Sequence, residues 1–324
     1  MASPPQPYAV ELEGLSRTYR SGRGRELRAV DGLSLAIEPG EMYGLLGPNG
    51  AGKTSTVKIL MTVLLPTAGR ARVLGHDVVT DTQEVRRRTG VILGGDAGLY
   101  ARLSARDNLF LFADLYGIPY REQRRIVPEL LEKVGLTGKE RARVETFSRG
   151  MKQRLHIARG LLHDPEVVIL DEPSNGIDPV GARELRELVK ETVRAGRTVL
   201  MTTHYMFEAD ELCDRVAVLC GGRKIAEGTP ESLKKQTDGR AVLSLDVAGA
   251  QESHLELIRR VEGVHSTTMT ADGARQSITV QSDTSGDVTQ AVLGRLADVT
   301  VLQVSKRAPT LEDAYVSLVS GASA

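Results

Sequence analysis

"MYGLLGPNGAGKTSTVKILMTVL", residues 42–64, changes texture twice, and those changes decide the fold. It opens as a compact apolar run, as a buried strand does. Glycines at 47, 50 and 52 break that run, and helical periodicity follows. Within it, GPNGAGKT at residues 47–54 fits the spacing G-x-x-x-x-G-K-[ST], which carries meaning only between a strand and a helix. Gly50 and Gly52 let backbone N–H groups converge on phosphate oxygens, and the helix N-terminus adds a favourable dipole. Lys53 neutralises phosphate charge and Thr54 offers a hydroxyl to Mg²⁺. A glycine-rich turn with a solvated lysine is the alternative, and the flanking elements argue against it.

The 324 residues exceed one typical domain and fall short of three. Lys and Arg number 42 and so do Asp and Glu, so no global excess of charge is available to hold DNA or a membrane surface. Cys213 and Cys220 are too few for a disulfide framework and have no metal-ligand spacing around them, which predicts packed thiols. The start "MASPPQPYAV" does not read as a leader, and no run approaches the roughly 18 to 20 apolar residues that cross a bilayer. The expectation is a soluble, cytoplasmic chain that a partner must hold if it works at a membrane.

Apolar runs at residues 9–12 and 33–37 predict a hairpin region around the turn-rich "RSGRGREL". Residues 104–164 read as a helical subdomain, with Ser104 an N-cap. "EVVILDEP" and "RTVLMTTH" read as parallel strands joined through the helix "GARELRELVKETVRAG", and "RVAVLCGGRKIAEG" as a closing hairpin. After residue 240 the order becomes β-α-β-β-α-β, which predicts a small ferredoxin-like domain. The expected architecture is an α/β P-loop domain over 8–230 followed by an α+β accessory domain over 240–320.

"VVILDEP" ends a buried strand in Asp171 and Glu172, at the strand end where α/β sheets bind ligands. Asp171 suits Mg²⁺, and Glu172 suits the water that attacks a γ-phosphorus. Directly before that strand stands "FSRGMKQRLHIARGLLHDP". With the motifs at 47–54 and 171–172 it resembles the signature segment of ATP-binding cassette (ABC) ATPases, whose usual core is LSGGQ. The core here, Phe147, Ser148, Arg149, Gly150 and Met151, departs at the first, third and fifth positions and keeps the serine and following glycine. Lys152, Gln153 and Arg154 then read as a solvated helix face rather than a nucleic-acid helix.

The resemblance covers most of residues 8–230 and implies an ATP-hydrolysing cassette. It assigns ATP to Gly47, Pro48, Asn49, Gly50, Ala51, Gly52, Lys53, Thr54 and Ser55, with Tyr19 stacking on adenine and Thr54 and Asp171 on Mg²⁺. It makes Glu172 and His204 catalytic, Asp178 the acidic residue of the D-loop, and Ser148, Arg149, Gly150 and Met151 a signature that acts on a second subunit's nucleotide. One P-loop and one signature per chain imply a second cassette, most simply a homodimer. The family's glutamine after "TGVIL" is missing: "GGDAGLY" puts Gly94 or Gly95 there, leaving Asp96 either near the metal or merely in a turn. The ending "APTLEDAYVSLVSG" is similar to cassettes of ABC-2 exporters, including the daunorubicin-resistance type. That similarity implies a separate integral membrane permease, a place on the cytoplasmic membrane face and no nucleic acid; the alternative is a soluble ABC ATPase acting on ribosomes or nucleic acid.

Overall fold

The computed structural model describes residues 8–20, 26–94, 98–235, 240–272, 275–283 and 288–322. Contacts divide the chain into two units, residues 1–230 and 231–324.

In the first unit the strands form two sheets. β1 (Val10–Arg20) and β2 (Glu26–Ile37) pair antiparallel, as the hairpin reading requires, but both are longer than the apolar runs suggest. β4 (Ala68–Val73) and β5 (His76–Asp77) complete that sheet in the order β2-β1-β4-β5. The second sheet has the order β10-β9-β3-β8-β7-β6, built from β3 (Met42–Leu46), β6 (Thr89–Leu93), β7 (Val167–Asp171), β8 (Thr198–Thr203), β9 (Arg215–Cys220) and β10 (Arg223–Gly228). All its pairings are parallel except that of β9 with β10.

Burial explains the composition of these strands. All residues of β3 and β8 are buried, and β7 is nearly so, because helices or the other sheet cover both faces. One apolar core joins the two sheets through α1 (Lys53–Leu60): Leu12 and Leu33, Leu45 and Leu200, and Val57 and Ile59 all belong to it. Each such side chain contributes about 1.5–3 kcal/mol by leaving water. Tyr43 is fully buried and donates its hydroxyl to Glu227, while Arg215 bridges Glu227 and Glu41, tying β3 to β9 and β10.

Between β6 and β7 lie α3 (Ala105–Leu115), α4 (Tyr120–Lys133) and α5 (Arg149–Gly160), following α2 (Thr82–Arg88). Ser104 caps α3, accepting from the backbone N–H of Asp107 at 3.0 Å. α5 is not the solvated helix its charges suggest. Gln153 is buried, and Arg159 is 9% exposed, donating to the carbonyl of Gly98 and lying over the ring of Phe112. α6 (Pro179–Arg194) is the crossover between β7 and β8, and α7 (Met206–Leu212) precedes β9.

The second unit begins with α8 (Pro230–Lys235) at the boundary and contains β11 (Arg240–Ala248), α9 (Glu252–Arg259), β12 (Val264–Asp272), β13 (Arg275–Asp283), α10 (Thr289–Gly294) and β14 (Thr300–Arg307). Its sheet is wholly antiparallel, in the order β12-β13-β11-β14, with its own core around Leu243, Leu245, Ile258, Ile278 and Val292. The tail folds as α11 (Leu311–Ala322). Among the described residues no helix is long and apolar enough to cross a membrane.

α5 approaches β6 closely enough that a Cβ on Gly90 would overlap the carbonyl oxygen of Gly160. Gly90→Ala is therefore expected to lower unfolding stability by about 1–3 kcal/mol, the usual cost of overpacking. Chemical denaturation followed by circular dichroism measures this.

Candidate functional site

The parallel pairing of β3, β8 and β7 sets their carboxyl ends side by side, so the segments that follow converge. After β3 the chain runs through residues 47–52 into α1. Gly52 is in the left-handed region at φ +101°, and a Cβ there would overlap the carbonyl of Ala29, so only glycine fits. Lys53 is 3% exposed, its ammonium donating to the carbonyls of Gly47 at 2.6 Å and Pro48 at 3.2 Å. A buried ammonium needs such acceptors. Its third oxygen is Oε1 of Glu172, 3.3 Å away.

Glu172 follows β7 in a left-handed conformation, φ +48°, which costs free energy in a non-glycine residue. Thr202, fully buried on β8, holds it there. The N–H of Glu172 meets the Thr202 carbonyl and hydroxyl, both at 3.1 Å, and that hydroxyl donates to Oδ1 of Asp171 at 2.6 Å. Oε2 of Glu172 lies 3.3 Å from Nδ1 of His204, a buried nitrogen with no hydrogen-bond partner among the described residues. The turn carrying His204 is pinned by Thr203, whose hydroxyl donates to Glu208 and accepts from the N–H of Tyr205. Lys53, Asp171, Glu172 and His204 thus form one cluster from three strand ends.

Two open clefts flank this cluster and share Thr54 and Glu172. One, about 480 Å³, is bounded by Tyr19, Leu27 and residues 48–55, including Asn49, Ala51 and Ser55. Tyr19 bonds Ser55 through its hydroxyl at 3.2 Å, and the guanidinium of Arg17 lies 4.9 Å over its ring. Leu27 is the cross-strand partner of Tyr19 and is 68% exposed, a placement that no motif in the sequence marks. The other cleft, about 460 Å³, holds Thr54, Asp171, Glu172, Asn175, Gly94 and Arg149. Ser148, Gly150 and Met151 are not among its lining residues. Ser148 instead caps α5, accepting from the N–H of Met151 at 3.2 Å. A hollow of about 560 Å³ elsewhere, between α4 and the turn after α5, holds none of the motif residues.

Asp178 caps α6 through the N–H groups of Gly181 and Val180, and the Gly181 bond first among them holds its carboxyl below the usual range. Asp96 and Gly95 lie outside the described residues. Gly94 is described: its N–H donates to the Asp171 carbonyl, and a Cβ would sit 2.6 Å from the Glu172 carbonyl oxygen, so no side chain fits at this position. Of the arginines around the first hairpin, Arg17 donates to the Leu65 carbonyl, while Arg20 and Arg28 are exposed and make surface pairs with Glu26 and Asp31, as a solvated loop does. Arg23 and Arg25 lie outside the described residues. Both cysteines are unpaired, and burial pushes the Cys213 thiol above its ordinary value.

Among the described residues no group of three or more His, Cys, Asp or Glu side chains forms a metal site. Thr54 and Asp171 do offer hard oxygen donors in one cleft, which suits a magnesium ion that takes its remaining ligands from phosphate and water.

The ABC transporter family model matches residues 30–175. The chain is 39% identical over 313 residues to the daunorubicin resistance ATP-binding protein DrrA3 of Streptomyces coeruleorubidus, covering 96% of this chain and 95% of that one. It is 39% identical over 257 residues to the Nod factor export ATP-binding protein I of Paraburkholderia xenovorans, covering 78% and 83%. Among solved structures it is similar to cbiO1 of Clostridium perfringens, described as part of the ABC transporter complex cbiONQ, with a TM-score of 0.63, 28% identity and 70% and 91% coverage.

Thr202 is the hidden support of both carboxylate residues. Thr202→Val keeps the shape and removes the hydroxyl, and is expected to cost about 1–2 kcal/mol of stability, whereas Thr202→Ser retains most of it. Thermal unfolding of the two variants against the parent checks this.

Proposed function

The chain belongs to the ABC transporter family as an ATP-binding ATPase, and from that premise we propose that it is the motor subunit of an ABC-2 type exporter, driving a drug-like or other lipophilic molecule through a separate integral membrane permease. The observation that carries the ATP chemistry is the cluster of Lys53, Asp171, Glu172 and His204 at one edge of the parallel sheet. Export is supported by the match to DrrA3, which runs along nearly the whole of both chains, beyond the ATPase region.

In this reading the triphosphate lies along residues 47–55, with the base against Tyr19 and Leu27 in the 480 Å³ cleft. A phosphate oxygen displaces Glu172 from the Lys53 ammonium. The freed carboxylate then accepts a proton from water as its oxygen attacks the γ-phosphorus, while the bond to the β-phosphate oxygen breaks. His204, beside Glu172, aligns that water and the γ-phosphate. Thr54 and Asp171 would hold magnesium, which would supply positive charge against the phosphates.

Ser148 and Gly150 stand at the free N-terminus of α5, outside their own chain's phosphate clefts. That placement supports a second copy, in which each α5 N-terminus grips the nucleotide of its partner. ATP then closes the pair and hydrolysis releases it, and the differential affinity for the two states moves the permease. The exporter works at the cytoplasmic face of the membrane, where ATP is available. The second unit is a separate accessory domain; its strand order β12-β13-β11-β14 and β-α-β-β-α-β sequence support a ferredoxin-like fold.

Lys53→Ala is expected to abolish ATP binding. Glu172→Gln should bind ATP, lose on the order of 10²–10⁴-fold in turnover, and accumulate as an ATP-dependent dimer in size-exclusion chromatography. Unchanged turnover in that variant would remove Glu172 from catalysis. A chain ending at Gly239 should remain folded and bind ATP while losing transport or pairing; failure of the folded truncate to bind ATP would contradict the division of labour. Co-purification with a polytopic membrane protein tests the permease, and capture of ribosomes or nucleic acid instead would contradict export.

A further inference from the structure

The signature's third position, glycine in the core LSGGQ, carries Arg149 here. Arg149 is the first residue of α5, is exposed, and forms no ion pair among the described residues. Its side chain turns toward its own chain's cleft. The guanidinium packs against Gly176, in the loop that follows Glu172, so closely that a Cβ on Gly176 would overlap Nη1 of Arg149. Thr54, Asp171, Glu172 and Asn175 line the same 460 Å³ cleft.

This arrangement calls for a ligand. A guanidinium presents five donors in a planar fork suited to carboxylate or phosphate, and here it shares a cleft with two carboxylates without pairing with either. Glu172 is already engaged by Lys53, and Asp171 by Thr202. We propose that Arg149 contacts the terminal phosphate of ATP bound to the P-loop of its own chain, opposite Lys53. This rests on the ATP-motor reading and departs from the trans role that the signature resemblance assigns to the residue. Ser148 and Gly150 face a partner's nucleotide, whereas Arg149 reads its own. The charge ties the orientation of α5, and so of the helical subdomain, to the presence of a γ-phosphate in the same protomer.

Three binding measurements test the assignment. In dilute, monomeric protein, Arg149→Ala is expected to weaken a non-hydrolysable ATP analogue by about ten- to a hundredfold while leaving ADP within about threefold, and Arg149→Lys should recover part of the loss as a point charge. Because the side chain is exposed, these variants should fold as the parent does. In a concentrated mixture of Arg149→Ala chains with Lys53→Ala chains, only the former retain a phosphate site. Triphosphate affinity there should stay weak even though the partner supplies an intact Arg149. Recovery of parental affinity in the mixture would place Arg149 across the interface and overturn the proposal, as would unchanged analogue affinity in the monomer. Failure of the parent chain to bind ATP at all would overturn the ATP-motor reading and this assignment with it; ATP binding that is indifferent to Arg149 overturns this one alone.

Discussion

A lysine ammonium that is 3% exposed has to be surrounded by oxygens, and the site is organised by that requirement. Two of the oxygens are carbonyls of the loop that carries Lys53, and the third belongs to Glu172 on a different strand. The ion pair therefore couples the loop after β3 to the end of β7, and through Glu172 to His204 at the end of β8. It also holds the lysine and the carboxylate in a mutually satisfied arrangement that a phosphate can replace without stranding a charge. In the proposed mechanism, binding a triphosphate and freeing Glu172 as the base are one event.

The sheet makes this coupling possible. β3 sits between β8 and β9, both far along the chain, so the P-loop reaches the carboxylates only once the crossovers are folded. Thr202 serves two masters on the intervening strand, holding the Glu172 backbone in its strained conformation and orienting Asp171. Gly94 presses on the Glu172 carbonyl from the β6 side, which closes that position to any side chain. Residue 94, one of the two positions where the resemblance would put a glutamine, is thus closed to it on steric grounds.

What was legible in the sequence were features with a strong local cause. The apolar run of β3, the glycines before Lys53 and the strand "VVILD" ending in two carboxylates each announce themselves within ten residues. β4 was not legible: "AGRARV" alternates small and basic residues, and its Arg72 is accommodated by Glu11 on β1, a partner visible only after pairing. α5 misled for the reverse reason, since Lys152, Gln153 and Arg154 read as a solvated face while Gln153 is buried, and Arg159 further along the helix is buried too. Thr202 had a weak signal, two hydroxyl residues following the apolar run Val199–Met201 and preceding His204. Leu27 had none, because its role comes from lying across from Tyr19.

The central claim, that the Lys53–Glu172 pair is exchanged for a triphosphate at the edge of the parallel sheet, is tested most directly by a structure of the chain with magnesium and a non-hydrolysable ATP analogue. The account predicts a phosphate oxygen within hydrogen-bond distance of Lys53 Nζ, with Glu172 swung away from the ammonium toward the γ-phosphorus and His204. Phosphates bound elsewhere, or bound with the Lys53–Glu172 pair intact, would contradict it.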